Sequence, residues 1–236
     1  MVPATGEWGR GSSFVRRRRV GASAGHRSEG CRVSQSLPVP TLVGQCVRLE
    51  PLQQGHVADL VVAANEDRAT YSYTAVPADV AGMSRMVSDL REDFETGLVV
   101  PFAQVDVASE RAVGVTRFMT MRALEGCAVP YAVEIGGTWL AASAQRTRTN
   151  TEAKFLLLRY AFDTWSVARV DLKTDHRNDR SRAAISRIGA TFEGVLRHWQ
   201  PSVVLGEEGH YRDTAMFSVI DEEWPRVAAH LRSLLA

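Results

Sequence analysis

The chain has 236 residues, of which 45% are hydrophobic and 23% are charged, and its formal net charge is only +1. These values are typical of a globular protein and exclude a disordered chain, a collagen-like repeat and a strongly basic nucleic-acid-binding protein. The charge is unevenly distributed, because residues 1–40 carry seven arginines against two glutamates. The remainder carries 21 basic and 25 acidic groups, so a basic segment of +5 precedes a body of −4.

Residues 1–40 are rich in Arg, Gly and Ser and lack hydrophobic periodicity, which predicts a disordered N-terminal extension. A basic arm that binds an anionic surface and a plain unstructured extension are both compatible with this composition. No aromatic residue interrupts the arginine run at Arg16–Arg19, which favours the second interpretation. Periodic patterns begin near Leu42, so we expect one domain over residues 41–236.

Three cysteines occur without a C-x-x-C motif, and six histidines occur without the spacing of a metal site. This pattern predicts neither a disulfide framework nor a bound metal, and it fits a reducing cytoplasm. No apolar run approaches the roughly 18 residues that a transmembrane helix requires. We therefore expect a cytoplasmic protein that neither enters a membrane nor presents a broad nucleic-acid-binding surface.

The first half of the domain shows apolar periodicities of about two and about 3.6 residues, typical of strands and helices respectively. They predict, in chain order, a strand at Cys46–Leu52, helices at His56–Asn65 and from Asp79 to about Thr96, and strands at Pro101–Val107, Ala112–Met121 and Ala132–Leu140. Asp79 is a candidate N-cap of the second helix, and Gly97 is placed to end it.

The second half begins with a helix near Thr149, where the T-x-x-E spacing of Thr149 and Glu152 predicts a capping box. The elements that follow are a strand at Arg169–Thr174, a short helix capped by Asn178 and ended by Gly189, strands at Thr191–His198 and Tyr211–Ile220, and a last helix from Asp221. This order predicts an α/β (α+β) fold, with a mixed, mostly antiparallel sheet of about seven strands flanked by helices. Its one parallel β-α-β crossover joins Ala132–Leu140 to Arg169–Thr174.

A polar segment connects the strand Ala132–Leu140 to the helix that follows it. Free N–H groups and a partial positive charge at a helix N-terminus favour a bound phosphate. The surrounding side chains add further donors, and the segment consists of Gln145, Arg146, Thr147, Arg148, Thr149, Asn150 and Thr151. A phosphate site and an ordinary helix with an exposed basic turn are both open at this stage.

Two stretches of sequence resemble the GNAT superfamily of N-acyltransferases, in particular its ribosomal-protein N-terminal acetyltransferase branch. The first is E-I-G-G-T-W-L at Glu134–Leu140 with Q-x-x-R-x-N-T-E-A at Gln145–Ala153. The second is N-x-x-S-x-x-A from Asn178, followed by Gly189-Ala190 and Glu193-Gly194. The resemblance covers roughly residues 42–225 and implies an acyl-CoA cosubstrate held between two diverging strands.

The resemblance also implies roles for individual residues. The backbone N–H near Ile135 would polarise the thioester carbonyl, Glu134 would remove a proton from the attacking amine, and Ser181 would protonate the leaving thiolate. The segment 145–151 and Asn178 would bind the cofactor. The family's loop pattern is Q/R-x-x-G-x-G/A, from which Arg148 departs, so Arg148 is expected either to distort the loop or to contact the phosphates itself.

The implied reaction is acetyl transfer from acetyl-CoA to a primary amine by direct attack, with a protein or peptide N-terminus as the favoured acceptor. A small-molecule amine is the alternative acceptor, and a non-catalytic acyl-CoA-binding protein is the alternative that the departure at Arg148 suggests. By analogy with the family, the acceptor would lie near Tyr71, Tyr73, the loop before Asp79 and the loop Gln200–Gly209. The two tyrosines are equally compatible with a place in the core. A homodimer is compatible with this sequence, which leaves the oligomeric state open.

Overall fold

The computed structural model describes Leu37 and residues 39–236, which build one sheet of eight strands in the order β1-β2-β3-β4-β5-β6-β8-β7. The strands are β1 (Leu42–Val43), β2 (Val47–Pro51), β3 (Val99–Asp106), β4 (Ala112–Arg122), β5 (Ala132–Leu140), β6 (Arg169–Asp175), β7 (Thr191–Pro201) and β8 (Tyr211–Ile220). The helices are α1 (Val57–Ala64), α2 (Val80–Glu95), α3 (Thr149–Arg159), α4 (Asp179–Arg187) and α5 (Trp224–Leu235). None of these helices is long and apolar enough to cross a membrane.

Every pair of neighbouring strands is antiparallel except β5 and β6, which are parallel and joined through α3. The predicted mixed, mostly antiparallel sheet with one parallel crossover is confirmed. The strand that the sequence pattern did not predict is β1, because two residues are too few to show an alternation.

The parallel pair β5–β6 is short and then opens. Only three residue pairs join the strands, from Ala132↔Arg169 to Glu134↔Asp171. Beyond them β5 continues to Leu140 along β4, while β6 continues to Asp175 along β8. The two strands therefore separate and leave a wedge-shaped gap in the middle of the sheet.

Two apolar clusters cover the two faces of the sheet. The larger lies under α3 and α5 and includes Phe102, Phe118, Leu157 and Leu231, which are at most 2% exposed. The smaller lies under α1 and α2 on the other face. We call these the α3 face and the α1 face, and alternation along each strand assigns every side chain to one of them.

The predicted N-terminal extension, residues 1–40, lies outside the described residues except for Leu37, Val39 and Pro40. Val39 is 6% exposed and belongs to the cluster on the α3 face, against which Leu37 also packs.

Two of the three predicted caps are confirmed. Asp79 accepts a hydrogen bond from the Gly82 amide, and Asn178 accepts one from the Ser181 amide. The predicted capping box at Thr149 is wrong, because Thr149 already lies within α3 and the N-cap residue is Arg148.

Glu152 binds the turn between β1 and β2 instead of capping its own helix. Its carboxylate accepts hydrogen bonds from the amides of Gln45, Cys46 and Val47 at 2.7–2.9 Å and from the Cys46 thiol at 3.0 Å. Burial by itself would raise the pKa of Glu152. The hydrogen bonds to the carboxylate have the larger effect, so the pKa lies below its ordinary value. Burial and the adjacent carboxylate raise the pKa of the Cys46 thiol to about 12. The Glu152 carboxylate thus attaches α3 to the edge of the sheet.

We expect Glu152→Gln to lower the free energy of unfolding by about 2 kcal/mol at pH 7, because a neutral amide replaces a buried acceptor of charge-assisted hydrogen bonds. Since the folded-state pKa of Glu152 is depressed, its stabilising contribution is complete above the unfolded value of about 4.3 and is lost as the pH falls through the folded-state pKa. The difference between the two proteins should therefore shrink in acid. Urea denaturation of both proteins at pH 7 and pH 3 measures this difference in the free energy of unfolding.

A pair of glycine variants provides the matched control. A methyl group on Gly44 would overlap the Glu152 carboxylate, whereas one on Gly55 would meet no atom within 4 Å. Gly44→Ala should destabilise the protein and Gly55→Ala should not. Equal stabilities for these two variants would show that the carboxylate is not held in place.

Candidate functional site

Glu134 is the last residue of β5 that pairs with β6, so its carboxylate lies at the apex of the gap. The residue is only 4% exposed and belongs to the α1 face, opposite its strand partner Met119. Its Oε2 forms an ion pair with the Lys173 ammonium at 3.0 Å and accepts a hydrogen bond from Thr120 Oγ1 at 3.1 Å. No hydrogen bond from the described residues reaches Oε1, which therefore has lone pairs for another partner.

Two glycines follow in β5, where the register with β4 shifts between Val115 and Arg117. Gly137 has a φ of 58°, a conformation that costs glycine little. A methyl group on Gly136 would lie 2.9 Å from Glu134 Oε1, and one on Gly137 would lie 2.6 Å from Arg117 Nε. The glycine pair therefore makes room for a carboxylate and a guanidinium directly over the strand.

The facing edges of β5 and β6 have no cross-strand partner beyond Glu134 and Asp171 in the described part of the chain. Ile135 is the first residue of β5 past this point, and its side chain is buried on the α3 face. Because backbone N–H and C=O groups require partners, these open edges suit an extended ligand with amide groups of its own, as the pantetheine arm of coenzyme A has.

The hydroxyls at the start of α3 are largely occupied by the protein. Thr147 Oγ1 accepts from the Thr149 amide, and Thr151 Oγ1 accepts from Arg187 at 2.8 Å. Thr149 and Thr151 are 5% and 2% exposed, whereas Asn150 is half-buried. Arg146, which the sequence predicts to bind the cofactor, is exposed at this turn, and its φ is 61°.

Arg148 does not distort the turn, which corrects one of the two outcomes expected from the sequence. Its φ and ψ of −70° and −17° are helical, so the position does not require glycine. Its guanidinium donates to the backbone oxygens of Leu235 and Ala236 at 3.0 and 3.4 Å. Arg148 therefore connects the beginning of α3 to the end of α5, where a cation also interacts favourably with the helix dipole.

Gln145 lies in a hydrogen-bonded bridge between segments that follow the two diverging strands. Its Nε2 donates to Thr70 Oγ1 at 3.1 Å and to the Leu140 carbonyl at 2.9 Å. Arg180 of α4 donates to Gln145 Oε1 at 3.0 Å and to the Thr70 carbonyl. Beside this bridge, an open cavity of about 200 Å³ extends from Thr70 and Tyr73 to Asn178.

Asn178 and Ser181 occupy the start of α4, close to the end of β6. Asn178 Oδ1 is used as the helix cap, so its amide NH₂ group is the part left for a ligand. Ser181 is half-buried and its amide is the group that Asn178 caps. The structure thus brings both predicted residues to the same end of the gap as Gln145.

The candidate acceptor segments are held near the end of β6 by one arginine. Arg177 forms ion pairs with Asp175 at 2.8 Å and with Glu207, from the loop after β7, at 2.6 Å. Its guanidinium also lies over the ring of Tyr73, 5.5 Å from the centroid. Tyr71, by contrast, donates to the Leu140 carbonyl and packs edge-on against Trp139, so its role is to support the wall of the site.

Lys154 is a buried residue near the site that sequence reasoning missed. It lies on α3, is 6% exposed, and donates to Thr138 Oγ1 at 2.7 Å and Thr116 Oγ1 at 3.3 Å, next to the glycine pair. Burial lowers its pKa to about 7. A signal was present in the composition: lysine occurs only at 154 and 173 in the whole chain, and Lys173 pairs with Glu134.

A family model described as acetyltransferase (GNAT) domain matches residues 47–191, more than half of the chain. No curated protein matches the sequence.

Solved structures resemble the chain over most of its length. A GCN5-related N-acetyltransferase from Brucella melitensis is 30% identical, with a TM-score of 0.71 over 83% of this chain and 85% of the other. A putative acetyltransferase from T. thermophilus is 29% identical, with a TM-score of 0.70 over 83% and 97%. Mycobacterium smegmatis RimJ in complex with CoA-disulfide has the same fold at 21% identity, with a TM-score of 0.66 over 80% and 88%.

We expect Lys154→Met to stabilise the protein by a few kcal/mol at pH 6, because it removes a buried ammonium that has no carboxylate partner among the described residues. The folded-state pKa of about 7 lies below the unfolded value of about 10.4, so between these values the unfolded chain binds more protons and wild-type stability rises with pH. The advantage of the variant should therefore shrink from pH 7 towards pH 10. Denaturation across this range measures it.

The other lysine serves as the control. Lys173→Met leaves the Glu134 carboxylate without its ion-pair partner, so this variant should be less stable than the wild type at pH 7. If Lys154→Met also proved destabilising at every pH, the ammonium would be contributing more through its two hydroxyl partners than its burial costs.

Proposed function

Because the chain belongs to the GNAT acetyltransferase family and is an acyl-CoA-dependent N-acyltransferase, we propose that it acetylates the N-terminal amine of a protein or peptide. One observation carries the proposal: the gap between β5 and β6 has a buried carboxylate at its apex, Glu134. The resemblance to N-terminal acetyltransferases of ribosomal proteins supports a peptide acceptor. The open cavity beside Tyr73 also suits the end of an extended chain better than an enclosed small molecule.

The residues around the gap fit acetyl-CoA as the cosubstrate. The open edges of β5 and β6 would hold the pantetheine arm, and the amide group of Asn178 would bind it at the start of α4. The N-terminus of α3 would bind the pyrophosphate through backbone N–H groups of residues 147–151 other than that of Thr149, which donates to Thr147 Oγ1. Gln145 would hold the turn in place, and Arg146 would supply a cation. Acetyl-CoA supplies the activated acetyl group.

The proposed chemistry is direct attack by a neutral amine. Glu134 Oε1 removes a proton from the ammonium group of the acceptor, through water where the two do not meet. The amine nitrogen then forms a bond to the carbonyl carbon while the backbone N–H near Ile135 stabilises the carbonyl oxygen. The carbon–sulfur bond breaks, and the leaving thiolate takes the hydroxyl proton of Ser181. The second proton of the attacking nitrogen passes through water to the Ser181 alkoxide, which leaves a neutral amide and restores the hydroxyl.

The test is release of free thiol from acetyl-CoA in the presence of peptides that begin with Ala or Ser, with mass spectrometry to locate the acetyl group. Turnover that places it on the α-amine supports the proposal. Turnover of small amines with no peptide activity would replace the peptide by a small-molecule acceptor. Binding of acetyl-CoA without turnover of any amine would indicate a non-catalytic acyl-CoA-binding protein.

Within that assay, Glu134→Gln should lower kcat about 10²–10⁴-fold at pH 7, because the amide cannot accept the proton. The deficit should narrow above the α-amino pKa of about 8, where the acceptor no longer needs a base. Glu110→Gln is the matched control, since Glu110 is an exposed carboxylate that pairs with Arg48. A deficit that stays constant from pH 7 to pH 10 would remove the base role from Glu134.

We expect Arg146 and Arg148, the two arginines of the phosphate turn, to have different roles, the first in cofactor binding and the second in stability. Arg146→Ala should raise the Kd for acetyl-CoA about 5–20-fold and leave that for acetyl-pantetheine, which lacks the pyrophosphate, unchanged. Arg148→Gly should change the Kd for acetyl-CoA less than about threefold but lower Tm, because Arg148 is bonded to the end of α5. Calorimetry and thermal denaturation measure both. A large loss of affinity in Arg148→Gly would show that its guanidinium leaves α5 to bind phosphate.

A further inference from the structure

Two arginines flank Glu134 on the α1 face of the sheet. Arg117 lies on β4 opposite Gly136, two pairs away from the Met119↔Glu134 pair. Arg212 lies on β8, two residues before Thr214, which pairs with Asp175 of β6. Arg117 therefore lies on the β4 side of the gap, close to its apex, and Arg212 lies on the β8 side, at the open end where β6 finishes.

Neither guanidinium is satisfied within the described part of the protein. The Nε atoms of Arg117 and Arg212 are enclosed but have no hydrogen-bond partner among the described residues. Neither side chain takes part in an ion pair in that part of the chain. Burial lowers the pKa of both arginines. The carboxylates of Asp93 and Glu134 partly oppose this effect at Arg117, and those of Asp175 and Glu134 partly oppose it at Arg212, but neither arginine is in direct contact with them.

The other arginines of this face differ in their ion pairs, although Arg122 Nε also lacks a hydrogen-bond partner among the described residues. Arg122 and Arg169 share Asp171, Arg169 also pairs with Glu193, and Arg177 already occupies Asp175. The described carboxylates close to β6 are therefore used, and none of them is left for Arg212. Because a partly buried cation without an ion-pair partner is costly, two of them beside a candidate active site indicate a place where a ligand supplies the negative charge.

Resting on the acetyl transfer to a peptide amine proposed above, we propose that Arg117 and Arg212 bind a carboxylate of the acceptor. The acceptor's ammonium group lies at Glu134 Oε1 and its carboxylate reaches the guanidinium groups on either side, where the planar donors match carboxylate geometry. Preferred acceptors therefore carry an acidic residue at the first or second position of the peptide. A free amino acid has the same chemistry and is distinguished by the test.

Selectivity among matched peptides tests the inference on the wild-type protein. Three hexapeptides that differ only at the second position, Glu, Gln or Lys, are compared by kcat/KM, together with free glutamate and free glutamine. We expect the Glu peptide to exceed the Gln peptide about 10–100-fold, and the Lys peptide to be the poorest. Selective turnover of free glutamate without peptide activity would keep the carboxylate site and overturn the peptide acceptor instead. Equal turnover of the three peptides would keep the proposed function and overturn the carboxylate site.

Variants then assign the selectivity to the two residues. In the Arg117→Gln, Arg212→Gln double variant, kcat/KM for the Glu peptide should exceed that for the Gln peptide by less than about threefold. Arg226→Gln, on the exposed side of α5, should retain the wild-type ratio of these two values. Thermal denaturation should place Tm of the double variant at or above that of the wild type, because two partly buried charges without ion-pair partners are removed. An unchanged ratio in the double variant would overturn the assignment.

Discussion

The separation of β5 and β6 after three residue pairs is the constraint on which the rest of the structure depends. A continuous sheet would use every backbone group in its own ladder, whereas the open edges leave those groups for a ligand. The glycine pair after Ile135 allows the bulge that accompanies the separation, and the same pair leaves space for the Glu134 carboxylate. The gap, the carboxylate at its apex and the open backbone are thus consequences of one local arrangement.

Helix α3 has to stay in a fixed position over this gap, and polar rather than apolar contacts determine its placement at the N-terminal end. Glu152 binds three amides of the β1–β2 turn, and Lys154 binds two hydroxyls beside the bulge. Arg148 connects the same end to α5. These contacts are directional, so they orient the proposed phosphate-binding turn more specifically than apolar packing alone.

Several charged groups near the gap are buried or partly buried, and they differ in how their charge is compensated. Glu134 forms an ion pair with Lys173, and Glu152 accepts hydrogen bonds from backbone amides. Lys154, Arg117 and Arg212, by contrast, have no carboxylate partner among the described residues. Uncompensated charges reduce stability, so their position beside the gap agrees with the frequent exchange of stability for function at active sites. The proposed carboxylate of the acceptor would complete the charge pairing on the α1 face.

The sequence by itself determined the class of fold, the parallel crossover, the caps at Asp79 and Asn178, and the family, because each depends on local periodicity or on a contiguous motif. Tertiary structure alone decided what Glu152, Arg148 and Lys154 do. Local spacing suggested a capping box for Glu152, and the family's loop pattern suggested either a distorted loop or a phosphate contact for Arg148. The partners of these two side chains are 87 to 107 residues away in the chain. The pairing of Glu134 with Lys173 and the isolation of Arg117 and Arg212 likewise arise only when β4, β5, β6 and β8 meet, because burial and charge compensation are properties of the folded sheet.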